Sequence, residues 1–162
     1  MMEQVVDAII SIITDYTEAG SVDGGCSDIL EIESIYFGDI GVLPVDAYPC
    51  FTVMPVRDTP NSETTSYEIR DLSILVTLLI DARAYFNASV DEAEGDRLMV
   101  QVIEGLRNWF RKDVNRSLAG LAGVREVKAP SAEYNMQLRG GVTAKAAQVM
   151  LLVNQQRPRQ RS

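Results

Sequence analysis

Two groups of acidic residues have a spacing that could support chemistry. Four carboxylates lie at the start of a predicted helix and two alternate along a possible strand: Asp91, Glu92, Glu94 and Asp96, and Glu31 and Glu33. The first group could chelate a cation, and the second could act as an acid and base pair. However, the first group lacks the spacing of a calcium loop and complements a helix dipole. The pair has no second pair to support it, so we predict no catalytic residue and no metal ligand.

The composition excludes most hydrolase chemistry. The chain has 162 residues and no histidine, which removes Ser-His-Asp triads, Cys-His pairs and His-ligated metal sites within a single chain. No glycine-rich phosphate loop of the ATP-binding or dinucleotide-binding type occurs, so no cofactor is predicted. Cys26 and Cys50 form no CxxC pair, and we expect both to be reduced thiols in a cytosolic protein. The sequence therefore predicts that the protein is not an enzyme.

The length and the two ends of the sequence predict one soluble domain with a basic tail. Glu3 and Asp7 occupy the place where a signal peptide needs positive charge, and further acidic residues interrupt any membrane span. Residues 1–156 are predicted to form a single α+β domain, and residues 157–162 a flexible tail without an apolar anchor. Three arginines of this tail are candidate contacts for DNA or for an acidic partner: Arg157, Arg159 and Arg161.

Charge is divided unequally along the chain. Residues 1–100 contain nineteen acidic and four basic side chains, whereas residues 101–162 contain four acidic and eleven basic ones. Two interpretations remain open. If the two halves interleave in space, the charges simply solvate the surface. If they do not, the subunit has an acidic and a basic face that meet oppositely charged neighbours in an ordered assembly.

Two amphipathic helices are predicted from apolar residues that recur with helical spacing. The first covers Val5–Tyr16 and ends at Gly20, which we expect to act as its C-terminal cap. The second begins at the capping box Ser89–Glu92 and ends at Phe110. Leu106 lies near the middle of its apolar arc, so we expect this side chain in the core.

Aromatic and basic side chains meet near the end of the second helix. Trp109 lies at the edge of the apolar arc among Arg107, Arg111 and Lys112. Such a mixture fits three roles: packing in the core, contact between subunits, and stacking on nucleic-acid bases. Trp109 and Arg111 are accordingly candidate residues of a subunit interface.

The middle of the sequence predicts a long antiparallel hairpin. Its first strand begins after Pro49, and its second covers Tyr67–Ile80, where alternate residues from Leu72 onward are apolar. Ile69 is out of phase with this alternation. A bulge near Arg70-Asp71 would restore the register.

The polar segment between these two strands is predicted to be a protruding tip. It covers Arg57–Thr65 and has no large apolar residue. Loops of this kind contribute contacts with partners more often than stability. The candidate partner contacts at the tip are Arg57, Asp58, Asn61 and Glu63.

The other strands are shorter or less regular. One is predicted at Asp28–Phe37, and Val124–Val127 is predicted to pair with Asn135–Leu138. A turn at Gly140-Gly141 leads to a final strand, Ala144–Val153, with one apolar face. Together these elements predict an α+β fold, in which an antiparallel or mixed β-sheet with a long β-hairpin packs against two amphipathic helices.

The order of these elements resembles that of the tail terminator, or tail-completion, proteins of long-tailed bacteriophages. The similarity covers nearly the whole chain: a first helix, a hairpin with a proline before its first strand, an amphipathic helix and a final apolar strand. The matching segments are Val5–Tyr16, Tyr48–Val53, Leu72–Ile80, Asp91–Phe110 and Ala144–Val153. The resemblance implies a structural virion protein of the tail or neck that is assembled in the host cytoplasm.

The resemblance also implies a homohexameric ring that ends polymerisation of the tail tube and joins the tail to the head connector. The implied partners are other copies of the chain, the tail tube protein, a head-tail connector or neck protein, and DNA passing through the ring, with no membrane. The hairpin tip would then be a contact arm, and the unequal charges would fit a ring whose two faces meet different partners. Three alternatives remain: another neck component, a small enzyme, and a non-viral assembly module.

Overall fold

The structure is a computed structural model that describes residues 2–38, 47–63, 66–81, 92–139 and 141–158. Its α-helices in these ranges are α1 (Met2–Glu18), α2 (Glu92–Phe110) and α3 (Asp113–Arg116). Its strands are β1 (Ser34–Phe37), β2 (Cys50–Glu63), β3 (Tyr67–Asp81), β4 (Val124–Lys128), β5 (Ala132–Arg139) and β6 (Val142–Pro158). The strands form one mixed sheet, which confirms the predicted α+β class.

The strand order of the sheet is β1-β2-β3-β6, with β4 and β5 together on the far side of β6. β4 pairs with residues 152–155 of β6 and β5 with residues 142–149, so these two strands share one edge. β1 runs parallel to β2, and the other described pairs are antiparallel. The predicted pairing of residues 135–138 with β4 is wrong. The turn at Gly141, with φ +83°, folds β5 back onto β6 instead, because a tight turn makes the strands it joins neighbours.

One face of the sheet is buried beneath the two long helices. Alternate residues of β3 and β6 form this face: Leu72, Ile74, Val76, Leu78 and Ile80, and Ala147, Val149, Leu151 and Val153. α1 adds the stripe of Val5, Val6, Ile9, Ile12, Ile13 and Tyr16, and Leu106 of α2 is fully buried. These are residues that the periodicity of the sequence predicts for the core. No helix in the described ranges is long and apolar enough to cross a membrane.

The opposite face of the sheet is buried at one end. Cys50, Leu79, Ala144 and Ala146 form a second cluster there with Ala47 and Tyr48. Further along the same face, Leu152 is 41% exposed. Cys50 lies in this cluster and Cys26 in the main core, and neither forms a disulfide with any described residue.

The β2–β3 hairpin is regular over a greater length than the sequence indicates. Residues 57–63, predicted as part of a protruding tip, belong to β2 and pair with β3 from Arg57 opposite Ser73 to Glu63 opposite Glu68. The prediction is wrong for these residues because it treated a polar segment as a turn. A strand with both faces in water shows no apolar alternation. The remaining tip residues, Thr64 and Thr65, lie outside the described residues.

The irregularities of the hairpin lie on β2, and the second of them is opposite Ile69 and Arg70 of β3, close to the predicted position. The register shifts between Pro55 and Arg57 and again between Pro60 and Ser62. Proline has no N–H to donate to a ladder, so bulges concentrate beside it. A bulge is therefore present, as predicted, but it lies on β2 and not on β3.

Several predicted boundaries also differ from the structure. β1 begins at Ser34 and not at residue 28, because Ile29 and Leu30 donate backbone hydrogen bonds to the Cys26 carbonyl and form turns. Gly20 is not a left-handed cap of α1: its φ is −77° and its ψ is 165°. The left-handed glycine of this loop is Gly24, with φ +87°.

Two predicted features lie at the limits of the described residues: the basic tail and the start of the second helix. β6 continues to Pro158, so the predicted flexible tail is wrong for residues 157 and 158, which pair with Glu68 and Tyr67 of β3. Pairing with β3 orders these two residues, whereas the sequence alone shows only their polar character. Arg159, Arg161 and the predicted helix cap Ser89 lie outside the described residues.

The two halves of the chain lie side by side in the sheet. β1, β2 and β3 come from the first half and β6, β4 and β5 from the second, and the boundary falls between β3 and β6. The described residues up to 81 include thirteen acidic and two basic side chains, and those from 92 onward include seven acidic and ten basic ones. The two halves of the chain therefore do not interleave in the sheet, and this excludes the first of the two interpretations there. The charge asymmetry of the sequence is a charge asymmetry across the subunit.

Candidate assembly surfaces

The outer part of the hairpin is held together by charged side chains. We call residues 57–63 and 67–71 the distal half of the hairpin, and residues 50–55 and 74–81 the base half. The Arg70 guanidinium lies between two carboxylates, donating from Nε to Asp58 Oδ1 at 2.5 Å and from Nη1 to Glu68. Arg157 of β6 donates to the other oxygen of Glu68 at 3.3 Å. This charge network replaces an apolar core in the distal half.

The network favours the charged forms of its members. Hydrogen bonds from Arg70 and then from Arg157 hold the pKa of Glu68 below its usual range. Hydrogen bonds to Asp58 and to Glu68 raise the pKa of Arg70. Glu68 and Arg70 are therefore charged at neutral pH, and the strands hold them in a fixed arrangement that a partner can recognise.

Two of the four predicted contact residues in the hairpin are engaged within the subunit. Asp58 is paired in the charge network, and Asn61 donates from Nδ2 to Asp71 Oδ2 at 2.8 Å. Arg57 is exposed, and the side chain of Glu63 lies outside the described part of the chain. Asp58 and Asn61 thus tie the two strands together, and the contact role of all four residues stays a prediction.

Trp109, a predicted interface residue, packs within the subunit. Its indole ring meets Tyr16 of α1 edge to face, with ring centroids 5.6 Å apart. On its other side, Lys112 Nζ lies 3.7 Å from the indole centroid and donates to the Asp23 carbonyl at 3.0 Å. These contacts favour the packing role among the three that were open. Arg111 is exposed, and the interface role of both residues stays a prediction.

The contact between α1 and α2 requires a glycine. Tyr16 Oη donates to the Val102 carbonyl at 2.6 Å, and a Cβ at position 105 would lie 2.5 Å from that oxygen. Gly105 therefore lets the phenol reach the helix backbone. Burial raises the pKa of Tyr16 far above its usual value, and burial raises the pKa of the adjacent Cys26 thiol to about 11. Both groups are neutral at physiological pH, so this cluster stabilises the fold and the thiol is a weak nucleophile.

A groove with an excess of basic side chains lies between α2, α3 and β4. We call it the basic groove; its volume is about 450 Å³, and its charged lining residues are Arg107, Arg111, Arg116, Glu126 and Lys128. Arg116 and Lys128 both reach Glu126, at 3.2 and 3.7 Å. The lining of the groove therefore holds four cations and one carboxylate, so the groove suits an acidic partner. Sequence reasoning missed this site because its members come from three elements.

An acidic groove lies at the opposite edge of the sheet, between α1 and β1. Its volume is about 380 Å³, and it is lined by Ile10, Thr14, Thr17, Glu18, Ile32, Glu33, Ser34 and Ile35. Both ionisable lining residues, Glu18 and Glu33, are acidic. Glu33 and Glu31 are exposed and precede β1, which begins at Ser34. The two edges of the sheet thus carry grooves of opposite charge.

β5 presents a row of exposed apolar side chains. Tyr134, Met136 and Leu138 are 47%, 53% and 74% exposed. They lie on the helix side of the sheet, because Tyr134 pairs with Ala147, whose side chain is in the core. Val100 of α2 borders the same surface. Several large apolar side chains together on one exposed strand are characteristic of a contact surface. Their alternation with polar residues was visible in the sequence, but their exposure depends on the position of β5 at the sheet edge.

Comparisons with known proteins assign no family to this arrangement. No protein-family model matches the chain, and neither does any curated protein.

Proposed function

We propose that this chain is a tail terminator of a long-tailed bacteriophage. In this proposal it forms a ring in the virion that ends polymerisation of the tail tube and joins the tail to the head connector. The order of the helices and strands supports this function. The observation that carries it is the separation of charge across the sheet, with the acidic half of the chain on one side and the basic half on the other.

Charge separation suits a ring because each subunit of a closed ring uses two different surfaces, one for each neighbour. The acidic groove and the basic groove lie at opposite edges of the sheet and are such a pair of surfaces. Two acidic edges repel each other, as do two basic ones, which disfavours a symmetric dimer and favours head-to-tail addition. The resemblance supplies the number of subunits, about six.

A ring that ends a tube also needs contacts along its axis. The distal half of the hairpin extends beyond the helix-covered core, and none of its described side chains is buried. Its fixed charge network suits docking onto the tail tube protein or onto the connector. In this proposal the edges of the sheet close the ring and the hairpin meets the next component of the tail.

The test is to image the purified protein by negative-stain electron microscopy and then to add it to polymerising tail-tube protein of the same phage. We expect rings of about six subunits, and tubes that stop growing with a ring at one end. A monomer at every concentration, with no ring even in the presence of tubes, would contradict the proposal. Rings that bind the connector but leave tube growth unchanged would indicate another neck component instead.

A further inference from the structure

Both outer edges of the sheet carry a short strand that is paired on one side within the described residues. β1 pairs with β2, and β5 pairs with β6. An edge strand of this kind presents backbone N–H and C=O groups that can extend the ladder into another chain. The sheet therefore has a site for strand addition at each end.

The remaining edge positions are less suited to pairing. Beyond β1, the same edge of β2 carries Pro55 and Pro60, which lack a donor, together with Arg57 and Asp58. Prolines and charges on an edge strand are features that oppose strand addition. β1 and β5 contain no proline. Strand addition is therefore favoured at these two strands.

The exposed apolar residues of the two edges lie on the same side of the sheet. Phe37 of β1 is 47% exposed. It pairs with Val53, whose side chain is in the core, so Phe37 lies on the helix side, as Tyr134, Met136 and Leu138 of β5 do. If the sheets of two copies join edge to edge, Phe37 of one copy meets this row on the other. The join would remove exposed apolar surface from water on both copies.

The strand directions permit this join. β1 runs parallel to β2, and β2 and β6 run in the same direction because each is antiparallel to β3. β5 is antiparallel to β6. When one sheet continues into the next, β5 of one copy and β1 of the other therefore meet as antiparallel strands, the arrangement with the more favourable hydrogen bonds.

The charges beside the two strands are complementary. The acidic groove, with Glu18 and Glu33, adjoins β1. The basic groove adjoins β4, which lies next to β5 along the same edge. An edge-to-edge join brings the acidic side of one copy towards the basic side of its neighbour, which steers association and selects against acidic-to-acidic pairing.

From these observations we propose that β5 of one subunit pairs with β1 of the next copy of the same chain and that this contact closes the ring. The inference rests on the proposed function, since it assigns the surfaces that hold the terminator ring together. Each edge surface binds a second copy of the chain, and Phe37 of one copy packs against Tyr134, Met136 and Leu138 of the other.

Disulfide cross-linking tests the contact directly. Phe37→Cys is combined in turn with Tyr134→Cys, Met136→Cys and Leu138→Cys, because directly opposite Cβ atoms in an antiparallel pair lie within about 5.5 Å, close enough for a disulfide. After oxidation, at least one double variant is expected to give a ladder of cross-linked species on a denaturing gel, from the dimer to the full ring. The single Cys variants are the controls. Dimers from Met136→Cys alone, without a ladder from any pair, would overturn the proposal in favour of a symmetric β5 contact.

A charge exchange tests the role of the grooves. Glu33→Lys and Arg111→Glu are each expected to weaken ring formation about tenfold, as measured by light scattering over a concentration series. The double variant is expected to recover to within about threefold of the original chain. Asp7→Lys is the matched control, since it makes the same charge change on an exposed position of α1 and should leave assembly unaltered. A double variant no better than either single one would overturn the complementary contact.

The outcomes separate this inference from the proposed function. Rings that cap tubes but show no cross-link between β1 and β5 would overturn the interface and leave the terminator function in place. Rings that cross-link as expected but do not stop tube growth would support the interface and overturn that function. A chain that stays monomeric under all conditions would overturn both.

Discussion

The two halves of the β2–β3 hairpin share one hydrogen-bonded ladder but are stabilised in different ways. In the base half, residues 50–53 and 76–81 are buried, and Ile74 lies under the helices. In the distal half, no described side chain is buried, and Arg70 with its carboxylate partners occupies the centre. The base half is stabilised by removing apolar surface from water, and the distal half by partly buried charged pairs.

This difference indicates how one hairpin can serve both folding and contact. Burial of an apolar side chain contributes about 1.5–3 kcal/mol, whereas an ion pair that keeps some contact with water contributes about 1 kcal/mol. The distal half can therefore change its contacts, or be replaced, at little cost to the free energy of unfolding. Elements that bind partners are commonly drawn from such regions of low local stability.

The largest expected effect is loss of stability from a core truncation in the base half. Ile74→Ala removes a fully buried side chain, and we expect the free energy of unfolding to fall by about 2–5 kcal/mol. Ile69→Ala, the same change on the same strand in the distal half, should cost about 1 kcal/mol or less, because Ile69 is only partly buried. Urea denaturation of both variants measures the difference. Equal losses would show that the two halves are not stabilised differently.

The helix layer above the base half gives the next largest expected effect. Gly105→Ala places a methyl group in the space of the Tyr16 hydroxyl, and we expect a loss of about 1–3 kcal/mol from overpacking. Tyr16→Phe removes the hydroxyl and its hydrogen bond to the Val102 carbonyl. Because it also removes the clash, the double variant should lose less stability than the sum of the single losses. Strict additivity in denaturation experiments would contradict the assigned contact.

Replacing the distal half should have a smaller effect on folding but a complete effect on docking. Asp58 and Leu72 are directly paired, so residues 59–71 can be exchanged for a two-residue Asn-Gly turn. We expect the variant to fold, with a smaller drop in melting temperature than Ile74→Ala causes, and to form rings that no longer cap tubes. Circular dichroism and a tube-length assay measure the two properties. Normal tube capping by this variant would refute the contact role of the distal half.

The smallest expected effect is on the pH dependence of stability. The pKa of Glu68 is lowered in the folded state by the hydrogen bond from Arg70, so its stabilising contribution is complete above the ordinary glutamate pKa of about 4.3. That contribution is lost as the pH falls towards the lowered value. Glu68→Gln should therefore flatten the acid limb of a plot of melting temperature against pH, with no change in slope near neutrality. An unchanged acid limb would show that the charge network contributes nothing to stability.

Sequence reasoning succeeded where one face of an element is apolar and the other polar. The alternation from Leu72 to Ile80 predicts the buried face of β3, and the helical spacing of the α1 stripe predicts its packing. It failed in the distal half, where residues 57–63 form a strand without apolar alternation. It also failed at β5, because the same short strand could pair with β4 or with β6 and the residue pattern does not distinguish them.

The candidate surfaces were only partly accessible from the sequence. The unequal division of charge between the two halves of the chain was visible, and so was the polar character of residues 57–65. The basic groove was not, because Arg107, Arg116 and Lys128 belong to different elements that meet only in the folded chain. The packing of Trp109 between Tyr16 and Lys112 was likewise one of three open roles until the structure showed its neighbours.

The sequence by itself determined the α+β class, the two amphipathic helices, the apolar faces of α1, α2, β3 and β6, and the total charge of each half of the chain. These properties follow from local periodicity and composition, which act over neighbouring residues. The tertiary structure decided the strand order, which of the strands lie at the edges, and the placement of the acidic half and the more basic half of the chain on opposite sides of the sheet. The physical reason is that strand pairing joins residues far apart in the chain, as β3 joins β6, and such pairing depends on burial and hydrogen bonding across the whole sheet.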